Sequence, residues 1–394
     1  MHDSKNMGID TICIHAGHKE NKEGAVVTPI YQTSTFKFEN ADHGARLFKG
    51  EEDGYIYTRM RNPTVEAMED AVAALEGGYK ALGCGSGMAA VHTLFATVLA
   101  SGDHIVCCNA AYGPTIVILN DFFTKYGVEV SFVDTSDLDA VRNAMKSNTK
   151  MVFVETPGNP TLVISDIAEI AKIAKQYNAK LAVDNTFMSP IYQRPFELGA
   201  DYIVHSMTKF LNGHADVVAG IIIVKEKDDY AKFRKTLNML GGVIDPFNSF
   251  LVHRGLRTLG MRVRTQAENA MEVAKYLEKH PKVERVFFPG LESHPQYEIG
   301  LKQMSGHGSM IAVELKGGFD AGKKLMDNIK VFTLAVSLGG VESLIQHPAS
   351  MTHAGMGREA RLAGNITDGL VRIAIGCENI EDLINALEAG LATV

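Results

Sequence analysis

The chain has 394 residues, a formal net charge of −7, 46% apolar residues and 22% charged ones. That length suits a large core and two domains, and the composition is that of a soluble globular protein. The acidic balance argues against nucleic acid as main partner, since phosphate neutralisation needs a basic surface, and no apolar run approaches the roughly 20 residues of a membrane helix.

Residues Met1 to Asn6 have no apolar signal core behind them, so no secretory leader is expected. Cys13, Cys84, Cys107, Cys108 and Cys377 are odd in number and form no CxxC pair. Buried thiols in a reducing cytoplasm are the expectation, rather than disulfides or a zinc site.

Residues 1–60 show little helical periodicity. Thr28-Pro29-Ile30-Tyr31-Gln32-Thr33-Ser34-Thr35-Phe36 is β-branched and aromatic with a proline breaker, which predicts an extended arm over another surface. The arm runs into Tyr57-Thr58-Arg59. A surface strand explains these residues; so does an anion site, because an arginine fork matches phosphate oxygens.

Asn62-Pro63-Thr64 opens a helix that ends at Gly77-Gly78. Gly83-Cys84-Gly85-Ser86-Gly87-Met88 then leads into a second apolar helix. A glycine-rich turn there offers free N–H groups to a phosphate, although such turns also serve plain strand-to-helix packing. It lacks the Gly-Lys-Ser/Thr of a Walker loop and the acidic partner of a dinucleotide turn.

Strands are predicted at 104–108, 128–133, 151–155, 181–184, 202–204 and 217–224, with helices over 114–126, 137–147 and 166–177 between them. Such alternation implies a mostly parallel sheet covered on both faces, whose ligands bind off the carboxyl ends of the strands. Glu155, Asn159, Asp184 and Lys209 all lie at or just past strand ends, the best internal sign of one site. After Ile223 the texture changes: helices over 246–263 and 266–279, strands at 283–288, 310–315 and 371–376, and a closing helix over 380–391. The expected division is an arm (1–60), a main α/β domain (61–250) and a smaller C-terminal α/β domain (251–394).

The stretch Ser206-Met207-Thr208-Lys209-Phe210-Leu211-Asn212-Gly213-His214 sits between two apolar runs. A loop lysine reaching solvent is the plain explanation for Lys209. A Schiff-base lysine, held in a protected site at lowered pKa, is the other. Asp184 favours the second, for it closes an apolar strand and needs a partner there. A lysine for an aldehyde and an aspartate for a pyridine nitrogen are what pyridoxal phosphate (PLP) chemistry asks of a protein. Arg372 lies inside an apolar strand, where either a structural salt bridge or a substrate carboxylate answers its charge.

From Gly24 to the C-terminal helix the chain resembles the γ-subfamily of fold-type-I PLP enzymes, the cystathionine and methionine metabolism group. The resemblance rests on Ser206-x-Thr208-Lys209-x-x-Asn212-Gly213-His214, Tyr57-x-Arg59, Ser86-Gly87-Met88, Tyr112-Gly113, Asn159-Pro160, Asp184-Asn185-Thr186 and Ser337-Leu338-Gly339, in the same order. The run from Glu342 to His353 looks most like the methionine γ-lyase branch. The resemblance implies a mostly parallel α/β fold. Lys209 would be the Schiff-base lysine and proton carrier, Asp184 the partner of the pyridinium, and Tyr112 the stacking ring and proton donor to the leaving thiolate. Ser86, Gly87, Met88, Ser206 and Thr208 would bind the phosphate, joined by Tyr57 and Arg59 of a neighbouring subunit, in an assembly that is commonly tetrameric. Asn159 would meet the ring hydroxyl, and Ser337 and Arg372 the substrate carboxylate.

The implied substrate is a small sulfur amino acid. Ile56, Val117 and Val336 stand where cystathionine γ-lyases of animal type carry charged side chains, which favours methionine and homocysteine in an α,γ-elimination. The chain departs from the branch at Pro114, where a cysteine is usual, and at Leu237-Asn238, where a Lys-Asp pair is usual. Cystathionine γ-lyase and the γ-replacement transferases, cystathionine γ-synthase and O-acetylhomoserine sulfhydrylase, remain as alternatives.

Overall fold

The structure is a computed structural model that describes residues 7–352, 354–355, 357–363 and 365–394. His353, the last residue of the run that resembles the methionine γ-lyase branch, lies outside them, as do residues 1–6. Among the described residues, two sheets form the frame. The strands of the larger sheet are β1 (Lys80–Cys84), β2 (His104–Cys108), β3 (Glu129–Val133), β4 (Thr149–Glu155), β5 (Lys180–Asp184), β6 (Tyr202–Ser206) and β7 (Gly220–Val224). Their spatial order is β1-β7-β6-β5-β4-β2-β3. β6, β5, β4, β2 and β3 pair in parallel, and β7 runs antiparallel to both its neighbours. The carboxyl ends of β1, β2, β4, β5 and β6 therefore share one edge. Along the inner strands most side chains on both faces are apolar and almost wholly buried, as at Ile221, Ile222, Ile223 and Val224, because helices cover both faces.

The helices start and stop where local chemistry dictates. Asn62 caps Pro63–Glu76 by accepting the Thr64 N–H, and Gly77, at φ +74°, ends it in the left-handed region. Ser86 caps Gly87–Val98 by accepting the Ala89 N–H.

The smaller sheet contains β8 (Val283–Phe287), β9 (Met310–Leu315), β10 (Thr333–Leu334), β11 (Leu344–Gln346) and β12 (Leu370–Ala374), in the order β10-β11-β12-β9-β8. The long helix Leu259–Glu278 packs on it. Arg372 on β12 lies opposite Gln346 and Ala312.

Three expectations are corrected. The 114–126 helix is a short α-helix (Gly113–Val117), one π turn (Ile118–Phe122) and a 3-10 turn (Phe123–Tyr126). The added residue in the π turn brings two consecutive rings, Phe122 and Phe123, against His92, at 5.6 and 5.9 Å. The helices expected over 246–263 and 266–279 are Pro246–Leu256 and Leu259–Glu278. At the break the buried Arg262 guanidinium donates to the Gly255 carbonyl (2.8 Å), the Thr258 hydroxyl (3.1 Å) and the Phe210 carbonyl (3.0 Å). These bonds supply donors to carbonyls that the break leaves without helical partners. The first 60 residues are not wholly extended, for Ile9–His15 and Ala41–Lys49 are helical. All five cysteines are free thiols; four are buried and Cys377 is half-buried.

Candidate active site

The glycine-rich turn between β1 and the helix Gly87–Val98 lies beside the carboxyl end of β6. A Cβ at Gly87 would stand 3.1 Å from Ser206 Cβ, and one at Gly220 would sit 2.1 Å from the Ser86 carbonyl oxygen. Both glycines are needed to bring the turn and the two strand ends this close. The first-turn N–H groups of Gly87 and Met88 face outward at a positive helix end, as an anion site requires. The Ser206 N–H donates to Thr186 Oγ1 at 2.9 Å. Thr208 Oγ1 accepts the Ala219 N–H at 3.0 Å and lies 3.2 Å from the Ala219 carbonyl, so the same turn is tied to the start of β7.

Asp184 ends β5 and is partly exposed at this edge. Its Oδ1 accepts both the N–H (3.0 Å) and the hydroxyl (2.5 Å) of Thr186, and its other oxygen has no hydrogen-bond partner among the described residues. Burial raises the Asp184 pKa, against the two Thr186 bonds that lower it. Lys209 follows β6 and donates to Ser337 Oγ at 2.7 Å. Burial, and then the Arg372 charge, push the Lys209 pKa down to about 8, so a neutral amine is within reach near neutrality. Ser337 has φ +95°, a conformation that costs an L-residue. It places the hydroxyl on Lys209 and the carbonyl under Arg372 Nη2, at 2.7 Å.

Arg372 makes no salt bridge among the described residues. Its Nη1 donates to Asn159 Oδ1 at 3.0 Å, and its buried Nε has no partner. Burial pushes its pKa down to about 10, with Glu155 opposing. A guanidinium held by two neutral acceptors and still short of one is prepared for a carboxylate. Tyr112 caps the helix Gly113–Val117, with its ring 47% exposed and its N–H on Glu155 Oε2 at 2.6 Å.

Tyr57 and Arg59 point elsewhere. Arg59 bonds the Asn238 carbonyl and lies 5.8 Å from the Tyr57 ring. Both line a cavity of about 310 Å³ with Thr33, Val243, Asp245 and Pro246, and no hydrogen bond of either reaches Lys209, Asp184 or Ser206 among the described residues. Val117 and Val336 are 55% and 57% exposed and Ile56 is half-buried, so none of the three is a core residue. Leu237 is fully buried on the inner face of the helix Lys227–Leu240, while Asn238 offers its carbonyl to Arg59. Pro114 occupies the first turn after Tyr112.

Two groups were not expected from the sequence in their observed roles. Glu155 anchors the Tyr112 backbone. On the opposite face of the sheet, Glu76 binds His205 Nε2 at 2.6 Å and Asn185 Nδ2 at 2.9 Å, so the residue after Asp184 is pinned from below. A glutamate and a histidine inside otherwise apolar segments were the available signal.

This donor set fits one cofactor. A desolvated lysine, a carboxylate with a spare oxygen on the adjacent strand, and a glycine cradle at a helix N-terminus meet the needs of PLP's aldehyde, ring nitrogen and phosphate. Fold and site together define a fold-type-I PLP-dependent enzyme. The chain belongs to the Cys/Met metabolism PLP-dependent enzyme family, which it matches over residues 10–392. It is 50% identical to an L-methionine gamma-lyase of Fusobacterium nucleatum subsp. polymorphum over 394 residues, covering 100% of both chains. It is 47% identical to a cystathionine beta-lyase of Coxiella burnetii, over 98% of this chain and 99% of that one. A solved structure of cystathionine gamma synthase from Xanthomonas oryzae pv. oryzae, in complex with aminoacrylate and cysteine, superposes with a TM-score of 0.94 at 40% identity, covering 99% of each chain.

Proposed function

We propose that the protein is a PLP-dependent carbon–sulfur lyase that converts L-methionine and water to 2-oxobutanoate, ammonia and methanethiol, and cleaves homocysteine likewise. The observation that carries the substrate is the set Ile56, Val117 and Val336, two of them more than half exposed and all apolar. An S-methyl group gains about 0.8 kcal/mol per carbon buried against such surface, whereas the charged distal head of cystathionine would need polar partners there.

Bound PLP supplies an aldehyde for the substrate amine and a ring that takes up the electron pair left at Cα. Asp184 holds the ring nitrogen with the oxygen that Thr186 does not use. Lys209, with its pKa at about 8, takes the proton from Cα and then serves at Cβ before the γ-substituent departs. Arg372 exchanges its Asn159 and Ser337 acceptors for the substrate carboxylate, which fixes the Cα–H toward Lys209. Asn159 meets the ring hydroxyl, and the Tyr112 hydroxyl gives a proton to the leaving thiolate. Ser86, Gly87, Met88, Ser206 and Thr208 hold the phosphate.

Tyr57 and Arg59, turned toward their own cavity, reach the phosphate of a neighbouring subunit as part of the arm 1–60, so the working unit is at least a dimer, and a homotetramer in the cytoplasm is the assembly proposed. The main and C-terminal domains are taken as 61–250 and 251–394. Because Pro114 and the buried Leu237 replace residues usual in the methionine branch, cystathionine cleavage and γ-replacement are the competing readings. Steady-state assays on methionine, cystathionine, and O-acetylhomoserine with sulfide decide among them. The methionine reading fails if cystathionine has the highest kcat/KM, or if product forms only with an added thiol acceptor.

A further inference from the structure

The loop after β2, which carries Tyr112, is latched to the loop after β4. The Glu155 N–H donates to Cys108 Sγ at 3.2 Å. Glu155 Oε2 accepts the Tyr112 N–H at 2.6 Å, a short bond from a buried carboxyl oxygen. Between these two links, the Asn159 N–H donates to the Ala110 carbonyl at 3.3 Å. The Tyr112 ring has no such anchor of its own. Its hydroxyl makes no hydrogen bond and its ring stacks on no other ring among the described residues, and Gly113 beside it has open space around its Cα. The direction of the ring is therefore set by the backbone, and the side chain that holds that backbone is Glu155.

Glu155 is 6% exposed and pairs in register with Asp184 on the neighbouring strand, so the two acids stand abreast on one face of the sheet. The groups that face it are Asp184 from β5, Cys108 from β2, Arg372 from β12 and Tyr112 from its own loop. Burial, Asp184 and Cys108 raise its proton affinity well above the usual carboxylate range, while Arg372 and the Tyr112 N–H oppose them.

We propose that Glu155 is a positioning residue of the active site: ionised, it holds the Tyr112 backbone so that the ring stands over the cofactor, and on taking up a proton it loosens that hold. The inference rests on the PLP reading above and adds a group through which pH reaches the ring.

The test is visible circular dichroism of PLP bound to the purified holoenzyme, read per mole of cofactor from alkaline pH downward, in wild type, E155Q and E155A. Wild type is expected to lose ellipticity as Glu155 takes up its proton. E155Q, which keeps an acceptor but no charge, is expected to show a smaller band without that acid step. E155A is expected to show the smallest band and about tenfold weaker PLP retention, the factor carried by one charge-assisted hydrogen bond. If E155A does not fold, E155Q alone carries the test. Variants that match wild type in band size, or an E155Q that keeps the full acid step, would overturn the assignment. A role confined to stability would lower Tm in the variants and leave the acid step in place. Wild-type protein that takes up no PLP would overturn the cofactor reading itself, a failure visible before any variant is made.

Discussion

The two ends of the larger sheet treat charge in opposite ways. At the amino ends, polar groups are answered by neighbours. His104 is bonded by Thr149 at 2.8 Å and Ser131 at 2.9 Å, Lys180 pairs with Asp201 at 2.8 Å, and Lys146 with Glu129 at 2.9 Å. At the carboxyl ends, Lys209, Asp184, Glu155 and Arg372 lie close together, yet none makes a salt bridge among the described residues. The first arrangement satisfies itself when the chain folds. The second leaves a lowered lysine, raised acids and an orphaned guanidinium nitrogen, which is costly unless a ligand supplies the missing partners.

Substitutions at the two ends are therefore expected to separate activity from stability. The largest effect belongs to Lys209→Ala, which removes both nucleophile and proton carrier; turnover is expected to fall by roughly 10³–10⁴-fold or more, with the borohydride-reducible link to PLP lost. Retained reduction-stable labelling in that variant would place the covalent site elsewhere. Next is Asp184→Asn, which takes away the charge facing the ring nitrogen. Breaking a buried pair costs about 3–5 kcal/mol, so kcat is expected to drop by roughly 10²–10⁴-fold, measurable in the same assay at saturating PLP.

Arg372→Lys keeps the charge and loses the fork. The expected result is a rise in KM for methionine of at least about tenfold, from the loss of one bidentate carboxylate contact, with PLP affinity little changed. An unchanged KM would move the carboxylate site away from β12.

A smaller effect concerns pH. In the apo-protein Lys209 has a folded pKa pushed down to about 8, so its neutral amine grows as pH rises through that value. Acylation of Lys209, followed by peptide mapping, is expected to rise about tenfold per pH unit below this point and to level off above it. A midpoint at the ordinary lysine value would show that burial and Arg372 do not act as described. The smallest effect is at the other end. Lys180→Met breaks a half-exposed pair with Asp201 and is expected to cost no more than about 1 kcal/mol in chemical denaturation, with kcat and KM unaltered.

Much of the large sheet was legible because buried parallel strands read as continuous apolar runs, and the residues that end them can be named without knowing how the strands pair. Ser206 to His214 and Asp184-Asn185-Thr186 could be found in this way. The 114–126 segment could not, for its apolar spacing suits a helix. The π turn seats Phe122 and Phe123 against His92 on another helix, a contact that the local spacing does not show. The break before Leu259 was hidden for the same reason. What closes it is the Arg262 guanidinium reaching back to Gly255 and across to Phe210.

The apolar side chains of the substrate set, Ile56, Val117 and Val336, show why type and place must be judged apart. Their identities are in the sequence; that they are exposed or half-buried rather than packed is a property of the fold. Leu237 shows the converse, since it stands at a departure from the methionine branch that the sequence singles out and is packed in the core.

By itself the sequence determined most of the strands, though not β1, β10 or β11, together with the residues that end the parallel ones and the chemistry those residues can perform, because periodicity, caps and side-chain type are local properties. Tertiary structure alone decided that Ser337, from the far part of the chain and at φ +95°, would meet Lys209, that Arg372 would rest on Asn159 and the Ser337 carbonyl with one nitrogen unpaired, and that Glu155 would hold Tyr112. Those contacts join residues up to 213 positions apart. Their cost is met by burial of both cores at once, and no window of sequence contains both partners.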